Sequence, residues 1–178
     1  VLSVVIVAGF APFISPADPL MQDLSIRLKP PGWQDGEKIY WLGTDHLGRD
    51  IASRIIYGSR ISLIVSISAV LIGAILGITV GLVSGYFRGK TDTIFMRMAD
   101  IQLAFPFILL IIAVVAVLGP SMKNIVVVLG ITGWVVYARI VRSEVLSLRE
   151  REFIIAAKAL GCNDVKIIVL HLFPNVGA

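Results

Sequence analysis

The pattern of hydrophobic and polar positions along the chain is dominated by long uncharged runs. Residues 61–87 contain no charged side chain, and as a helix they would extend about 40 Å at about 1.5 Å per residue, enough to cross a bilayer. Residues 101–119 form a second uncharged run. Residues 125–138 form a third, which reaches spanning length if Asn124 and Arg139 lie at the interfaces. We therefore predict membrane spans over about 61–87, 101–119 and 124–141.

The two ends of the chain have the character of interrupted elements. Residues 1–13 are apolar but too short to span a bilayer, and we interpret them as the end of a truncated first transmembrane helix. A signal peptide is the alternative interpretation, although no basic segment precedes this stretch. Residues 174–178 resemble the approach to a further element. We expect a fragment of a longer membrane protein, truncated at both ends.

Residues 14–60 differ in character from the runs that follow. Their prolines, including the pair Pro30-Pro31, forbid long helices and favour extended or turning backbone. From Asp50 onwards, Ile51, Ile55 and Ile56 recur at helical spacing. The segment is predicted to be an extracytoplasmic loop that contains a short interfacial helix, followed by a helical membrane core over residues 61–178.

Charge and composition agree with an integral membrane protein. The chain is 57% hydrophobic and only 16% charged, with a mean hydropathy of +0.89. Lysine and arginine number three in residues 88–100 and six in residues 139–171, against six in the longer segment 14–60. The positive-inside rule places the first two segments in the cytoplasm and residues 14–60 outside. The net charge of +4 is not a nucleic-acid signal, because the basic residues flank apolar helices.

The first complete span carries glycine at every fourth position. This spacing makes a groove on one helix face, which another helix can approach closely. The groove serves either packing within the chain or a moving interface between subunits. The residues are Gly73, Gly77, Gly81 and Gly85.

Proline interrupts the second predicted span near its start. Pro106 removes a helix hydrogen bond and predicts a kink or a delayed helix start. One interpretation is a helix that enters the membrane at an angle. The other is a gate or pore constriction formed by Phe105, Pro106 and Phe107.

The remaining polar motifs carry no visible chemistry. In residues 43–50, GTDHLGRD, His46 with Asp45 and Asp50 offers at most three metal ligands, so a local network of aspartate-to-backbone bonds is predicted instead. Cys162 is the only cysteine, which excludes an internal disulfide. We find no nucleophile with a base, phosphate loop or paired carboxylates, and therefore expect no catalytic, cofactor-binding or metal site.

A mildly charged segment, residues 152–174, follows the apolar runs and is not apolar enough to join them. Its pattern predicts a helix, a break at Asn163-Asp164 and a second helix that ends near Pro174. Either the segment lies on the bilayer surface as an amphipathic helix, or another protein binds to its surface of small residues.

The segment resembles the EAA loop of ABC-importer permeases, which forms a cytoplasmic coupling helix. The match consists of Ala156, Ala157 and Gly161, followed by the apolar-proline end Leu172-Phe173-Pro174. Ile155 stands where the family usually has glutamate, so we expect docking by shape and apolar contact more than by charge. The resemblance implies an ATPase-coupling surface within the loop 142–175, made by Ala156, Ala157, Lys158, Ala159, Leu160, Gly161, Cys162, Asn163 and Asp164.

Nearly the whole chain resembles the second permease subunit of dipeptide, oligopeptide and nickel importers. The similarity includes LGTDHLGRDIASRIIYGSRISL, the glycine-spaced span and ARIVRSEVLSLREREFI. It implies an all-α, polytopic, type I-like helical core, the permease core over residues 61–178, in a bacterial or archaeal inner membrane. The implied partners are a homologous permease, two ABC ATPases that carry the ATP and magnesium, and an extracytoplasmic solute-binding protein. The chain itself would be no enzyme.

Two other classes of function are compatible with parts of the pattern. A channel or ion-gradient-driven transporter commonly places ionisable groups in the middle of the membrane, and the three uncharged runs have none. A membrane scaffold without a transport path agrees with composition alone. The residues do not distinguish peptides from nickel as the solute.

Overall fold

The computed structural model of the chain describes residues 2–36 and 38–177, which form two compact units that divide between Ser66 and Ile67. The α-helices in these ranges are α1 (Leu2–Gly9), α2 (Ala11–Ile14), α3 (Ile51–Phe87), α4 (Gly89–Ala104), α5 (Phe107–Leu118), α6 (Met122–Leu148), α7 (Glu152–Ala159) and α8 (Asp164–Lys166). They are accompanied by strands β1 (Trp33–Asp35) and β2 (Lys38–Tyr40), the 3-10 helices Leu24–Ile26 and Phe173–Asn175, and the π-helical segment Ile167–Leu172.

The predicted class, an all-α polytopic membrane protein, is confirmed. Among the described residues, α3 and α6 are each long and apolar enough to cross a membrane. The pair α4 and α5 adds a third span if the two bent helices are counted together. The short antiparallel pairing of β1 with β2 is confined to the segment that precedes α3.

The polar motif of residues 43–50 forms a compact loop network in the first unit. A carboxylate oxygen of Asp45 accepts hydrogen bonds from the backbone N–H groups of Leu47 and Arg49, at 2.9 and 3.0 Å. Burial works to raise the pKa of Asp45, but these bonds and the Arg49 guanidinium outweigh it and hold the pKa well below its usual range. Among the described residues, no group of three or more His, Cys, Asp or Glu side chains is placed to hold a metal ion.

Glycine is required at two positions of this loop. Gly43 has φ of +77°, and a Cβ there would lie 2.3 Å from the carbonyl oxygen of Lys29. Gly48 has φ of +73°, and a Cβ there would lie 1.7 Å from the carbonyl oxygen of Asp23. Neither position leaves room for a side chain, and both have a backbone conformation that favours glycine.

Helix α3 begins earlier than its apolar run. Asp50 accepts a hydrogen bond from the backbone N–H of Ser53 at 2.9 Å and so caps the helix at Ile51. The predicted short surface helix and the first predicted span, 61–87, are one continuous helix, because nothing between Ile51 and Phe87 breaks the backbone pattern.

In the second unit, the four spaced glycines all face α6. A Cβ at Gly77 would lie 2.4 Å from the Trp134 carbonyl oxygen, and a Cβ at Gly81 would lie 2.7 Å from the Cβ of Val141. The other two, Gly73 and Gly85, approach Gly130 and Val145 in the same way. The groove is therefore occupied by a helix of the same chain, as the interpretation of packing within the chain requires.

The stretch 88–100, treated above as a cytoplasmic loop, is helical. It forms most of α4, and its acidic residues Asp92 and Asp100 pair with Arg142 and Arg139 of α6. The sequence reasoning missed the helix because it read these charges as solvent-exposed loop residues, whereas they are paired across two helices.

The predicted span 101–119 is divided by a sharp bend. Helix α4 ends at Ala104, Phe105 takes an extended conformation, and α5 begins at Phe107, with 86° between the two helices. Pro106 has no N–H to donate to the preceding turn and restricts the backbone of the residue before it, which explains the break.

Helix α6 extends beyond the predicted span 124–141 at both ends. The hydroxyl of Ser121 accepts a hydrogen bond from the backbone N–H of Asn124 at 3.1 Å, and the helix continues to Leu148. Arg139 near the end of the predicted span and Arg142 just beyond it are both within the helix, and each has an acidic partner on α4.

Candidate coupling surface

Helix α7 has a well-defined end. Gly161 has φ of +79°, its N–H donates to the carbonyl of Lys158 at 3.0 Å, and the N–H of Cys162 donates to that of Ala157 at 3.1 Å. This pair of bonds is the Schellman arrangement, which satisfies carbonyls at the helix end and favours glycine at the left-handed position. The predicted stop thus has a specific structural cause.

The second helical stretch begins immediately afterwards. The side-chain oxygen of Asn163 accepts a hydrogen bond from the backbone N–H of Lys166 at 2.8 Å and caps α8. The chain continues through the π-helical segment Ile167–Leu172 and ends in a 3-10 turn that contains Pro174. We define residues 152–175 as the C-terminal element, and its helix–break–helix pattern is the predicted one.

This element is anchored by an apolar inner face. Ile154 and Ala157 of α7, together with Ile167 and Leu172, are buried. They join one hydrophobic cluster with residues from the C-terminal ends of α3 and α6: Leu82, Tyr86, Val141 and Val145. The element is therefore packed directly on the two candidate spans.

Polar contacts reinforce the same attachment. The hydroxyl of Tyr86 donates to a carboxylate oxygen of Asp164 at 2.5 Å, and Arg149 donates to the backbone carbonyl of Tyr86 at 2.8 Å. The ammonium of Lys158 lies 4.8 Å from the centre of the Tyr86 ring, within cation–π range. The last turn of α3 is thus tied to both sides of the break after α7.

Exposed apolar side chains of this element lie on α7, on the turn after it and on α8. We define the candidate coupling surface as Ile155, Ala156, Ala159, Leu160 and Val165. Leu160 is 85% exposed and Val165 is 68% exposed. Such side chains are available for contact with a partner protein or with the bilayer surface.

The predicted coupling residues do not all belong to that surface. Ala156, Lys158, Ala159, Leu160, Gly161, Asn163 and Asp164 are exposed. Ala157 instead faces the inner cluster, and Cys162 is half-buried against it. Sequence reasoning also overlooked Tyr86, because its partner Asp164 is 78 residues away and no local pattern relates the two.

A second polar region joins α4 to α6. Three side chains of α4 make these contacts among the described residues. Asp92 forms a two-pronged pair with Arg142, with Nη2 to Oδ2 at 2.6 Å, and Asp100 pairs with Arg139 at 2.7 Å. Gln102 donates to the carbonyl of Thr132 at 2.6 Å and accepts from the Trp134 indole at 2.8 Å. We call this set the α4–α6 seam.

The seam lies beside exposed apolar side chains, among them Ile101 and Ile140. Charged side chains near apolar surface are costly unless they are paired, and Asp92 and Asp100 each have an arginine partner. The sequence spacing of Asp92 and Asp100, about two helical turns, is compatible with one face of a helix. It could have predicted the seam only if residues 88–100 had been recognised as helical.

Two candidate spans and a bent helix pair define a polytopic membrane protein. An anchored helix–break–helix element with exposed apolar side chains follows them. The model of the binding-protein-dependent transport system inner membrane component matches residues 77–177, and the chain belongs to this family. The match covers the C-terminal part of α3 and all the elements of the candidate coupling surface.

Relatives with described roles are similar over most of the chain. The dipeptide transport system permease protein DppC of Alkalihalophilus pseudofirmus is 44% identical over 175 residues, 98% of this chain and 56% of the relative. The oligopeptide transport system permease protein OppC of Bacillus subtilis is 37% identical, with the same two coverages. The glutathione transport system permease protein GsiD of Pectobacterium atrosepticum is 47% identical over 136 residues, 76% of this chain and 45% of the relative. The chain spans about half the length of these curated relatives.

Proposed function

We propose that this chain is a permease subunit of an ATP-driven importer for dipeptides, oligopeptides or a related small peptide. Family membership and the relatives' roles in dipeptide, oligopeptide and glutathione transport support the solute class. In this proposal the partners are a second, homologous permease, two cytoplasmic ABC ATPases and an extracytoplasmic solute-binding protein. ATP and magnesium are bound by the ATPases, and the chain itself hydrolyses nothing.

The observation that carries the proposal is the candidate coupling surface. Its exposed apolar side chains lie on an element whose inner face is packed on α3 and α6. A force applied to this surface by a closing ATPase would therefore reach both helices. Ile155 lies within the surface and is 56% exposed, which is consistent with a contact made through shape and apolar area.

The test is copurification of the ATPase with variants of the protein. Leu160→Glu should lower the ATPase recovered by at least about tenfold, because it introduces a charge at the most exposed part of an apolar contact. Met122→Glu is the matched control, since Met122 is an exposed apolar residue at the opposite end of α6 and should leave recovery unchanged. Equal recovery with both variants would disprove docking at this surface.

A second variant tests Ile155, the position at which the sequence departs from the family pattern. Ile155→Glu restores the acid that such loops usually carry and adds a charge to an exposed position. Because the proposed contact is apolar at this position, ATPase recovery and ATP-dependent peptide uptake should fall, as with Leu160→Glu. Recovery that is retained or increased would show that the ATPase accepts an acid here and that docking does not depend on apolar contact at Ile155.

A further inference from the structure

Asp50, at the start of α3, has one carboxylate oxygen that no described residue satisfies. Its Oδ2 accepts hydrogen bonds from the backbone N–H and the hydroxyl of Ser53. Its Oδ1 is buried within a residue that is only 3% exposed, and no donor in the described part of the chain reaches this atom. A buried acceptor without a donor is costly, and more so when it belongs to a charged group. Oδ1 therefore needs a donor that is not a direct protein neighbour.

The side chain of Asp50 lines a small cavity in the first unit, with a volume of about 30 Å³. The other charged side chains that line it are Asp18, Asp23 and Lys38. Asp18 and Asp23 each accept a hydrogen bond from the backbone two residues further along the chain, at 2.9 and 3.0 Å. These two carboxylates add negative charge and cannot donate, whereas Lys38 is the basic side chain of the described lining.

Volume and chemistry together fit one water molecule. A cavity of this size has room for a single water, which needs two to four polar partners. The ammonium of Lys38 has three donors and lies 5.0 Å from the centre of the Tyr40 ring, which lines the same cavity. We propose that one buried water molecule accepts a hydrogen bond from Lys38 Nζ and donates one to Asp50 Oδ1. This water-mediated ion pair connects strand β2, which carries Lys38, to the first turn of α3.

The bridge also answers the electrostatic requirement of the site. A buried carboxylate is stable only when other groups compensate its charge. The N-terminus of α3 favours negative charge at Asp50 on one side. On the cavity side, Lys38 offsets Asp50 and its two acidic neighbours, and a bridging water is nearly as favourable as a direct hydrogen bond. The antiparallel pair β1–β2 is thereby fixed to the start of the helix.

The first test is an experimental structure of the full-length protein at a resolution that shows ordered water. We expect one water oxygen about 2.7–3.2 Å from both Asp50 Oδ1 and Lys38 Nζ. Three observations would each overturn the assignment: a direct contact between the two side chains, a dry cavity, or a metal ion with oxygen ligands at about 2.3–2.6 Å.

The second test is a double-variant cycle in the full-length protein, with hydrogen exchange at the Ser53 amide as its readout. Lys38→Met keeps the apolar stem and removes the ammonium, and it should accelerate this exchange at least about fivefold. Asp50→Asn keeps an acceptor that can cap α3 but removes the charge. In the Asp50→Asn background, Lys38→Met should have little further effect, because the two residues act through one bridge.

Lys29→Met is the matched control for this cycle. The ammonium of Lys29 lies 5.1 Å from the centre of the Trp33 ring, a contact of the same kind, but Lys29 does not line the cavity. It should leave exchange at Ser53 unchanged in both backgrounds. Equal effects of Lys38→Met with and without Asp50→Asn, or no effect in either, would refute the bridge. Both tests are independent of the proposed transport function, because neither involves an ATPase or a solute.

Discussion

The hydroxyl of Tyr86, at the end of α3, lies 2.5 Å from a carboxylate oxygen of Asp164, at the break between α7 and α8. Tyr86 is itself buried in the cluster that anchors the C-terminal element. One residue thus contributes both an apolar and a polar contact between a candidate span and the element that carries the candidate coupling surface. Under the proposed function, movement of this element is expected to reach α3 through Tyr86.

Tyr86→Phe keeps the ring in the cluster and removes only the hydroxyl. A hydrogen bond to a charged group contributes about 1.5–3 kcal/mol, so we expect a modest loss of thermal stability. ATPase recovery should be retained, while peptide uptake per ATP hydrolysed falls. Asp164→Asn, which keeps an acceptor oxygen, should have the smaller effect on uptake. If Tyr86→Phe transported with unchanged stoichiometry, the hydroxyl would have no part in transmission.

Gly77→Ala tests the close approach of α3 to α6. The added methyl group would lie 2.4 Å from a backbone oxygen, and backbone cannot rotate away as a flexible side chain can. Overpacking of this kind costs about 1–3 kcal/mol, which should lower the melting temperature in detergent. Gly58→Ala is the matched control on the same helix, because nothing lies within 4 Å of its added Cβ. It should be neutral or stabilising, since alanine favours helix over glycine. Similar melting temperatures for both variants would contradict the packing described here.

Pro106→Ala tests the cause of the bend between α4 and α5. Alanine restores the N–H and releases Phe105 from the restriction that proline imposes. We expect the two helices to straighten, so the distance between spin labels at the exposed positions Met98 and Val117 should increase. A continuous helix would separate these positions by about 28 Å. An unchanged distance would show that contacts elsewhere, and not the proline, hold the bend.

Acid should loosen the loop that contains Asp45. Its folded pKa is lowered, so the hydrogen bonds it accepts contribute stability that is fully present above the unfolded value of about 3.9 and is lost as pH falls below it. Hydrogen exchange at the amides of Leu47 and Arg49 should therefore accelerate below about pH 4, beyond the intrinsic effect of pH. Asp45→Asn has no carboxylate to protonate, and its exchange should lack this transition. A transition of equal size in the variant would assign the effect to another group.

Several parts of this structure could be predicted because they depend on local pattern. The uncharged run 61–87 is long enough to span a bilayer and contains no proline, so its helix follows from length and hydropathy. The stop at Gly161 and the cap at Asn163 follow from the conformations those residues favour. Pro106 likewise predicted the break between α4 and α5, which depends on no distant contact.

Other parts could not be predicted because they depend on residues far apart in the chain. Helix α4 was taken as a loop since its acidic residues have their partners on α6, some 40 to 50 positions later. Ala157 and Leu160 are three positions apart in one motif, yet one is buried and the other exposed. Only the packing of α7 on α3 and α6 separates them.

The sequence by itself determined the class of protein, the number of long apolar runs, the glycine groove and the helix–break–helix element, because hydropathy, spacing and backbone preference act over a few residues. The tertiary structure decided which side chains are buried, which are paired and which remain exposed. It placed α6 in the glycine groove, tied Tyr86 to Asp164, and left Asp100 and Arg139 projecting while their neighbours were covered. These outcomes depend on which helix faces meet, and that is a property of distant contacts.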